Sequence, residues 1–417
     1  MARLLIDQSP SLQGTVRISG SKNSVLPILA ASLLAEGKSC IEEIPKLQDV
    51  WIMQELLESL GATTHWEQNM ITVRSDELTQ YEAPYELVRQ MRASFLVMGP
   101  LLARLGRTRI PLPGGCAIGS RPVDLHLKGF SALGAEVTQE RGYVQAKADQ
   151  LKGARIYLDF PSVGATENIM MAAVLAEGQT TIENAAVEPE VVDLANYLNA
   201  MGALVRGAGT DTIKITGVST LTGTNYSVIP DRIEAGTFMV AAAMTHGDVY
   251  LENVVSSHLK PIIAKLRESN IQVIETENGL RVCSKELIYA ADIKTLPYPG
   301  FPTDMQAPLM SLMSIAQGTC VITETIFENR FMHVGELKRM GADIKIEGRS
   351  AVINGVPSLT GTQVRATDLR AGAALILCGL IAEGTTEIQD MYHIERGYED
   401  IEMKLRNLGA SIQKIEI

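Results

Sequence analysis

A cysteine and an arginine lie five positions apart in a glycine-rich segment, 112–122, and both residue types can do chemistry. Glycine allows backbone conformations that other residues resist, so a substrate can approach such a segment closely. A nearby cation favours the thiolate form of Cys116, and the guanidinium of Arg121 can hold a carboxylate or a phosphate through two hydrogen bonds. The segment therefore predicts a reactive thiol that works on a small anionic substrate.

Other interpretations of the same segment are weaker or stay open. Runs of proline and glycine usually form turns, and most free cysteines are buried small hydrophobic residues. Gly114 and Gly119 have the spacing of a phosphate-binding loop, but Ser120 and Arg121 follow where that motif requires Lys and then Ser or Thr. The segment therefore does not predict a nucleotide-phosphate loop.

Composition limits the class of protein. The 417 residues are 46% hydrophobic and 20% charged, which predicts two or three domains with a large packed core. A net charge of −11 argues against a nucleic-acid partner, and an anionic substrate would need local arginines and lysines. The longest apolar run, 373–382, is shorter than the about 20 residues of a membrane span, and the N-terminus lacks a signal-peptide pattern. We therefore expect a cytoplasmic protein without a membrane partner.

The cysteines and histidines indicate neither a disulfide framework nor a metal site. Five cysteines are scattered without a Cys-x-x-Cys pair, as in proteins with reduced thiols. None of the six histidines has a partner at metal-ligand spacing. We predict no metal and no cofactor, and we expect Cys40, Cys320 and Cys378 to lie in the core.

Two short phrases that contain glycine recur about every 70 residues along the chain. In the first, a helix end, a glycine and a strand follow one another, with Gly37, Gly106, Gly178, Gly247, Gly318 and Gly384. The second phrase, a helix-ending glycine followed by a strand, has Gly61, Gly134, Gly202, Gly341 and Gly409, and its fourth copy has become Ser269-Asn270-Ile271. Each copy predicts strands and helices that pack together. Six such units, in two groups of three, could surround buried helices such as 373–380, which is apolar on every side.

Nine longer motifs indicate a family. They are SGSKN (19–23), MRAS (91–94), PGGCAIGSRPVDL (113–125), SVGAT (162–166), PDRIE (230–234), FPTDMQ (301–306), FENRFMHV (327–334), ATDLR (366–370) and RGY (396–398). From residue 14 to its C-terminus the chain resembles the UDP-N-acetylglucosamine 1-carboxyvinyltransferases, the enolpyruvyl transferases of the first committed step of peptidoglycan synthesis. The resemblance implies a cytoplasmic transferase that supports cell-wall biogenesis, cell shape and cell division.

The resemblance also implies the architecture. We expect an α/β protein with the inside-out α/β barrel of this family, which has two similar domains of three βα repeats each, with buried helices. The active site would lie in the interdomain cleft. The first domain would span 22–229 and carry the catalytic cysteine loop, and the second would combine 1–21 with 230–417.

The implied reaction moves the enolpyruvyl group of phosphoenolpyruvate onto the 3′-hydroxyl of UDP-N-acetylglucosamine and releases phosphate. It proceeds by addition and elimination through a tetrahedral ketal. By resemblance, Cys116 would be the general acid toward the methylene carbon, could carry a covalent adduct with phosphoenolpyruvate, and would be alkylated by fosfomycin. Whether it protonates directly or mainly aids product release stays open. Both small molecules would be substrates, and the oligomeric state stays open.

The remaining site residues are likewise implied by the resemblance. Asp304 would be the base or orienting group for the 3′-hydroxyl, although its position before a helix is also typical of an N-cap. Lys22, Arg121 and Arg396 would hold phosphoenolpyruvate. The expected substrate-binding residues are Lys22, Asn23, Arg92, Arg121, Pro122, Val123, Asp124, Leu125, Ser162, Val163, Gly164, Asp304, Ile326, Arg330, Arg370 and Arg396. We expect His126 and His333 to be structural.

Two other functions stay open. One is the sister activity on shikimate 3-phosphate, which shares the fold and the enolpyruvyl donor but does not use the cysteine loop. The other is a paralogue that binds a UDP-sugar without turnover. One departure from the family concerns Phe160, which stands where some members have a lysine beside the diphosphate.

Overall fold

The computed structural model describes residues 2–113 and 123–416. The chain folds into two compact units. Residues 2–19 and 230–416 form what we name the carboxyl-terminal unit, and residues 20–113 and 123–229 form the central unit. Each unit has its own hydrophobic core.

The secondary structure alternates between short strands and helices. The strands are β1 Ala2–Asp7, β2 Gln13–Arg17, β3 Lys38–Glu42, β4 Thr63–Glu67, β5 Met70–Arg74, β6 Arg107–Pro111, β7 Glu136–Glu140, β8 Tyr143–Lys147, β9 Arg155–Tyr157, β10 Gln179–Glu183, β11 Leu204–Arg206, β12 Thr212–Thr216, β13 Asn225–Ser227, β14 Asp248–Glu252, β15 Gln272–Thr276, β16 Gly279–Cys283, β17 Ile293–Lys294, β18 Thr319–Thr323, β19 Asp343–Glu347, β20 Ser350–Asn354, β21 Gln363–Arg365, β22 Thr385–Gln389 and β23 Ile412–Glu416. The helices are α1 Lys22–Ala31, α2 Gln48–Ser59, α3 Tyr85–Val88, α4 Met98–Leu105, α5 Asp124–Ala132, α6 Val163–Ala173, α7 Pro189–Ala200, α8 Arg232–Met244, α9 Lys260–Glu268, α10 Gln306–Met313, α11 Val334–Arg339, α12 Leu369–Gly379, α13 Tyr392–Glu395 and α14 Ile401–Asn407. Four 3-10 helices span Ser32–Leu34, Arg92–Val97, Ser256–Leu259 and Thr303–Met305.

Each unit contains three small sheets within the described residues. In the central unit the strand orders are β13-β3-β5-β4, β6-β8-β7 and β11-β12-β10-β9, and in the carboxyl-terminal unit they are β15-β16-β14-β2, β17-β18-β20-β19 and β21-β22-β1-β23. Every four-stranded sheet has one parallel pair followed by two antiparallel pairs, as β17, β18, β20 and β19 illustrate. The repeated topology confirms the predicted α/β fold of six similar units.

Apolar helices form the centre of each core. Nearly every residue is buried in α1 and α6 of the central unit and in α8, α10 and α12 of the carboxyl-terminal unit. Apolar and small residues make up most of every side of these helices, so burial removes nearly the whole helix surface from water. Close packing depends on small residues, since a Cβ added at Gly99 of α4 would lie 2.4 Å from the backbone oxygen of Asn168 in α6. The apolar helices therefore form the core of each unit and pack against its sheets.

The second recurring glycine ends a helix in the left-handed conformation. The backbone φ is 108° at Gly61, 103° at Gly202 and 100° at Gly409. In the changed fourth copy, Asn270 takes the same role with φ 68°, since asparagine tolerates this conformation better than most residues. The fourth repeat has therefore lost the glycine and kept the turn.

The three cysteines expected in the core differ in burial. Cys320 and Cys378 are buried, and burial raises the pKa of each thiol to about 12. The prediction for Cys40 is wrong, because this residue is only half-buried and its Sγ lies 3.8 Å from Thr72 Oγ1. Ser39 and Ile41 face the core instead, since successive side chains of a strand point to opposite faces.

Candidate active site

Lys22 begins the buried helix α1 of the central unit. Its Nζ lies 2.6 Å from Asp49 Oδ2, and the two side chains are 8% and 3% exposed. An ammonium group at a helix N-terminus is repelled by the helix dipole, so the carboxylate of α2 stabilises it there. The Ser21 N–H donates to the Ile229 oxygen at 2.7 Å, which fixes the entry to the helix. Asn23 follows and is half-buried.

The N-terminus of α6 presents the motif 162–166. Ser162 caps the helix, because its Oγ accepts a hydrogen bond from the Ala165 N–H at 3.3 Å. Val163 and Gly164 form the first turn and are half-buried. A Cβ added at Gly164 would lie only 3.4 Å from His126 Cε1. Backbone N–H groups at such a helix start are suited to an anion such as a phosphate.

His126 packs beneath this turn and is neutral. Burial, and secondly the positive charge of Arg92, lower its pKa to about 3. Its Nδ1 accepts from Asn168 Nδ2 at 3.1 Å, and the Asn168 Oδ1 accepts from the Gly99 N–H at 2.7 Å. The ring also contacts Phe95 edge-on, with 5.1 Å between centroids. These contacts give His126 the structural role expected of it.

The other predicted nucleotide contacts of the central unit lie close to His126, belong to or directly precede a helix that packs on α6, or fall outside the described residues. Arg92 begins a 3-10 helix and is close enough to His126 to lower its pKa. Val123 is buried, Asp124 begins α5 and is exposed, and Leu125 is half-buried. Helices α5 and α6 pack together. The predicted site residues Cys116, Arg121 and Pro122 lie outside the described residues.

In the carboxyl-terminal unit, Asp304 lies between two arginines. Arg330 Nη2 donates to Asp304 Oδ1 at 2.7 Å. Arg370 donates to Oδ2 from Nη2 at 3.0 Å and from Nε at 3.2 Å. The arginine side chains are 5% and 2% exposed, against 26% for the aspartate. Two buried cations thus stabilise the ionised form of one carboxylate.

Asp304 does not cap the following helix, which corrects that alternative. It lies inside the 3-10 helix Thr303–Met305, and Met305 occupies the N-cap position of α10 without a side-chain cap. The carboxylate is engaged by arginines from other elements and not by the local backbone. The charge of the arginines explains this preference, because an ion pair outweighs a hydrogen bond to a neutral N–H.

Arg370 is held from several sides. Its own N–H donates to Asp368 Oδ1 at 2.8 Å, which caps α12. Burial acts to lower the pKa of Arg370, but Tyr398, Asp304 and Asp231 together raise it, so the guanidinium keeps its charge. Within the described part of the chain, its buried Nη1 has no hydrogen-bond partner. A buried cationic donor of this kind is suited to a phosphate or a carboxylate.

Two further predicted site residues of this unit are Arg396 and Ile326, and His333 was predicted to be structural. Arg396 directly follows α13 and is half-buried. The Ile326 N–H donates to Glu324 Oε1 at 2.8 Å, just before the segment that carries Arg330. His333 is buried, and its pKa is lowered to about 4 by burial, with Arg330 also lowering it and Asp368 opposing. A neutral buried His333 fits the structural role predicted for it.

The structure thus brings together three predicted residues, Asp304, Arg330 and Arg370, and pairs Lys22 with Asp49. Sequence reasoning missed Asp49, because nothing in the local pattern before α2 indicates a partner for a lysine 27 positions earlier. It also missed Glu324, which lies between motifs.

Among the described residues, no group of three or more His, Cys, Asp or Glu side chains could hold a metal ion. Within the same residues, no helix has both the length and the apolar character for crossing a membrane.

Comparisons with known proteins match the whole chain. The family described as EPSP synthase (3-phosphoshikimate 1-carboxyvinyltransferase) matches residues 6–405. UDP-N-acetylglucosamine 1-carboxyvinyltransferase 1 of Caldanaerobacter subterraneus subsp. tengcongensis is 63% identical over 412 residues, 99% of each chain. UDP-N-acetylglucosamine 1-carboxyvinyltransferase 2 of Carboxydothermus hydrogenoformans is 60% identical over 417 residues, 100% of each chain.

Two solved structures share the fold. The enolpyruvyl transferase NikO from Streptomyces tendae has a TM-score of 0.89 and 25% identity, and the match covers 99% of this chain and 98% of that one. EPSP synthase from Acinetobacter baumannii has a TM-score of 0.77 and 20% identity over 100% of both chains, a likeness that concerns the fold alone.

Proposed function

The chain belongs to the enolpyruvyl transferase family, among the UDP-N-acetylglucosamine 1-carboxyvinyltransferases, and from that premise we propose the reaction that it performs. It transfers the enolpyruvyl group of phosphoenolpyruvate to the 3′-hydroxyl of UDP-N-acetylglucosamine and releases phosphate. The observation that carries this proposal is the Asp304 carboxylate between Arg330 and Arg370, with an Arg370 Nη1 that has no hydrogen-bond partner among residues 2–113 and 123–416.

Phosphoenolpyruvate supplies two anionic groups, so it needs several cations. Lys22, Arg121, Arg370 and Arg396 provide them in our proposal. Arginine binds a carboxylate or a phosphate with two parallel hydrogen bonds, and the lysine adds a compact charge. Because the chain carries a net charge of −11, this local concentration of positive charge is needed to attract the substrate.

The addition step needs a base and an acid. Asp304 accepts the proton of the 3′-hydroxyl, whose oxygen then forms a bond to C2 of phosphoenolpyruvate. Cys116 supplies the proton that adds to the methylene carbon, which gives the tetrahedral ketal. Elimination then returns a proton from the new methyl group to the protein, breaks the C2–O bond to phosphate and restores the double bond. No metal or cofactor is needed in this scheme.

Both oxygens of Asp304 accept hydrogen bonds from arginines, which compete with a substrate hydroxyl for the same lone pairs. An arriving phosphate or carboxylate competes for the Arg370 guanidinium. Once that guanidinium turns toward the substrate, one oxygen of Asp304 can accept the hydroxyl proton. Binding of the anionic donor would thus prepare the base for the sugar.

The acceptor in this proposal is the sugar nucleotide. It is supported by relatives named for UDP-N-acetylglucosamine at 57–63% identity, against 20% for the EPSP synthase structure. The N-terminus of α6, with its available N–H groups beside Gly164, offers a place for the diphosphate. The reaction is cytoplasmic in our proposal, because a free thiol such as Cys116 stays reduced there.

The test is phosphate release from phosphoenolpyruvate with either UDP-N-acetylglucosamine or shikimate 3-phosphate as acceptor. We expect turnover with the sugar nucleotide alone. Intact mass should show a phosphoenolpyruvate adduct and fosfomycin alkylation in the wild type and neither in Cys116→Ala. Phosphate release with shikimate 3-phosphate alone would favour the sister activity, and nucleotide binding without any release would favour a non-catalytic paralogue.

A further inference from the structure

Glu324 is a buried carboxylate at the end of β18 with no exposed surface. Its Oε1 accepts hydrogen bonds from Thr295 Oγ1 at 2.9 Å, the Ile326 N–H at 2.8 Å and the Phe327 N–H at 3.2 Å. Its Oε2 accepts from Thr303 Oγ1 at 2.8 Å. A buried polar group is costly unless hydrogen bonds satisfy it, and four donors satisfy both oxygens of this carboxylate.

These four donors belong to three separate segments. Thr295 follows β17, Ile326 and Phe327 begin the segment that leads to Arg330, and Thr303 opens the 3-10 helix that carries Asp304. The segments are tied together a second time, since the Thr325 N–H donates to Thr295 Oγ1 at 2.9 Å. Glu324 is therefore the common anchor of two segments that carry predicted site residues.

The anchor extends to the ion pairs through Thr303. The single hydroxyl proton of Thr303 is donated to Glu324, which leaves an oxygen lone pair for Arg330 Nη1 at 2.8 Å. The same guanidinium donates from Nη2 to Asp304 Oδ1 at 2.7 Å. The negative charge of Glu324 thus fixes the direction of the Thr303 hydroxyl, and the hydroxyl fixes Arg330 against Asp304.

We propose that Glu324 is a positioning residue for the reaction: acting through Thr303, it holds Arg330 in the orientation that places Asp304. The inference rests on the proposed function, because it assigns Asp304 to the chemical step. Glu324 itself contacts no substrate in this proposal, and its effect reaches Asp304 only through the hydroxyl and the guanidinium. The chemical step should therefore depend on Glu324 more than nucleotide binding does.

Glu324→Gln is the informative variant, because it keeps the shape and removes the charge. Its amide oxygen can still accept from the Ile326 and Phe327 N–H groups, whereas its amide nitrogen faces Thr303 and cannot accept the hydroxyl proton. Losing a hydrogen bond to a charged group in a buried network costs about tenfold to one-hundredfold in the step it supports. We expect kcat for phosphate release to fall by about tenfold or more, with KM for UDP-N-acetylglucosamine within about threefold of wild type.

A second pair of variants keeps the test decisive if Glu324→Gln folds poorly. Thr303→Ser retains the hydroxyl and should keep most of kcat, whereas Thr303→Val removes it and should lose about as much as Glu324→Gln. In the double variant Glu324→Gln/Thr303→Val, kcat should be no lower than in the worse single variant, since both changes break one chain of contacts. Thr180→Val is the matched control, because Thr180 is 1% exposed and its hydroxyl has no partner in the described residues.

The outcomes separate the two proposals. Wild-type protein that releases no phosphate with UDP-N-acetylglucosamine overturns the proposed function, and the inference with it. Active wild type together with a kcat of Glu324→Gln within twofold of normal overturns the inference alone. So does equal loss in Thr303→Ser and Thr303→Val, or losses that multiply in the double variant, because either result would mean that Glu324 does not act through the Thr303 hydroxyl.

Discussion

Arg370 donates two hydrogen bonds to one oxygen of Asp304, from Nη2 at 3.0 Å and from Nε at 3.2 Å, and leaves its Nη1 without a partner in the described residues. The guanidinium is buried and keeps its charge. One face of this cation thus stabilises a carboxylate while one donor remains for a substrate anion. The same side chain can therefore link donor binding to the state of the proposed base.

Arg370→Lys should test that link, because lysine keeps the charge and loses the planar fork. We expect kcat/KM for phosphoenolpyruvate to fall by about one-hundredfold, which corresponds to the loss of charged hydrogen bonds of about 1.5–3 kcal/mol. The measurement is steady-state phosphate release at fixed UDP-N-acetylglucosamine. Arg155→Lys is the control, since Arg155 donates to Glu183 from Nε and Nη2 on the surface and should leave the rate unchanged. Equal rates for both variants would contradict the assignment.

Asp49→Asn should weaken the central unit, because it leaves the buried Lys22 ammonium without the carboxylate that balances it. Removing one partner of a buried ion pair costs about 3–5 kcal/mol, and the retained amide should hold the loss near the lower end. Urea unfolding measures this cost, and phosphate release should fall as well because Lys22 loses the ion pair that holds its ammonium at α1. Glu347→Gln removes one partner of the exposed Lys345–Glu347 pair and is the control. An unfolding midpoint like that of wild type would mean that the pair is not needed.

Much of the fold could be predicted from the sequence, because its signals are local. The recurring glycines mark helix ends, where Gly61 and Gly202 need a left-handed backbone, and apolar runs such as α12 mark buried helices. The prediction that failed concerned the direction of one side chain in a strand, that of Cys40. Cys40 and Cys320 lie at neighbouring positions of equivalent strands, and a shift of one residue turns a side chain to the other face.

The sequence predicted which residues belong to the site but not how their side chains contact one another. The motifs named Asp304, Arg330 and Arg370, but no periodicity indicates that one carboxylate would lie between two guanidiniums from distant segments. No sequence motif indicated Glu324, because its four hydrogen bonds depend on how the ends of β17 and β18 are positioned in the folded protein. Contacts of this kind are set by tertiary packing and leave no pattern along the chain.

Two buried histidines should make the protein sensitive to acid. The pKa is lowered to about 3 for His126 and to about 4 for His333, against about 6.5 in the unfolded chain. Between these values the unfolded chain binds the proton and the folded protein does not. Stability therefore rises with pH up to about 6.5 and is lost as pH falls below it, by about 1.4 kcal/mol per pH unit for each histidine. Urea unfolding from pH 4.5 to 8 measures the slope.

The matched variant for this slope is His126→Asn, whose amide oxygen can replace Nδ1 as the acceptor for Asn168 Nδ2. The variant should be less stable than wild type at pH 8, because the smaller side chain leaves a void. Its stability should nevertheless fall less steeply below pH 6.5, since one titrating group is gone. A slope equal to that of wild type would show that His126 already takes up its proton in the folded state.

Ser162 should contribute to helix stability and to nucleotide binding in ways that three substitutions can separate. Ser162→Ala removes the hydroxyl that accepts from the Ala165 N–H and should cost about 1 kcal/mol, whereas glycine at an N-cap costs only a few tenths and threonine keeps the acceptor. If the hydroxyl only holds the first turn of α6 in place, UDP-N-acetylglucosamine affinity should follow helix stability and fall in Ser162→Ala alone. If the hydroxyl also contacts the nucleotide, as we expect, calorimetry should show affinity reduced severalfold in both Ser162→Ala and Ser162→Gly and retained in Ser162→Thr. Unchanged affinity in all three variants would remove Ser162 from the binding site and leave it a cap.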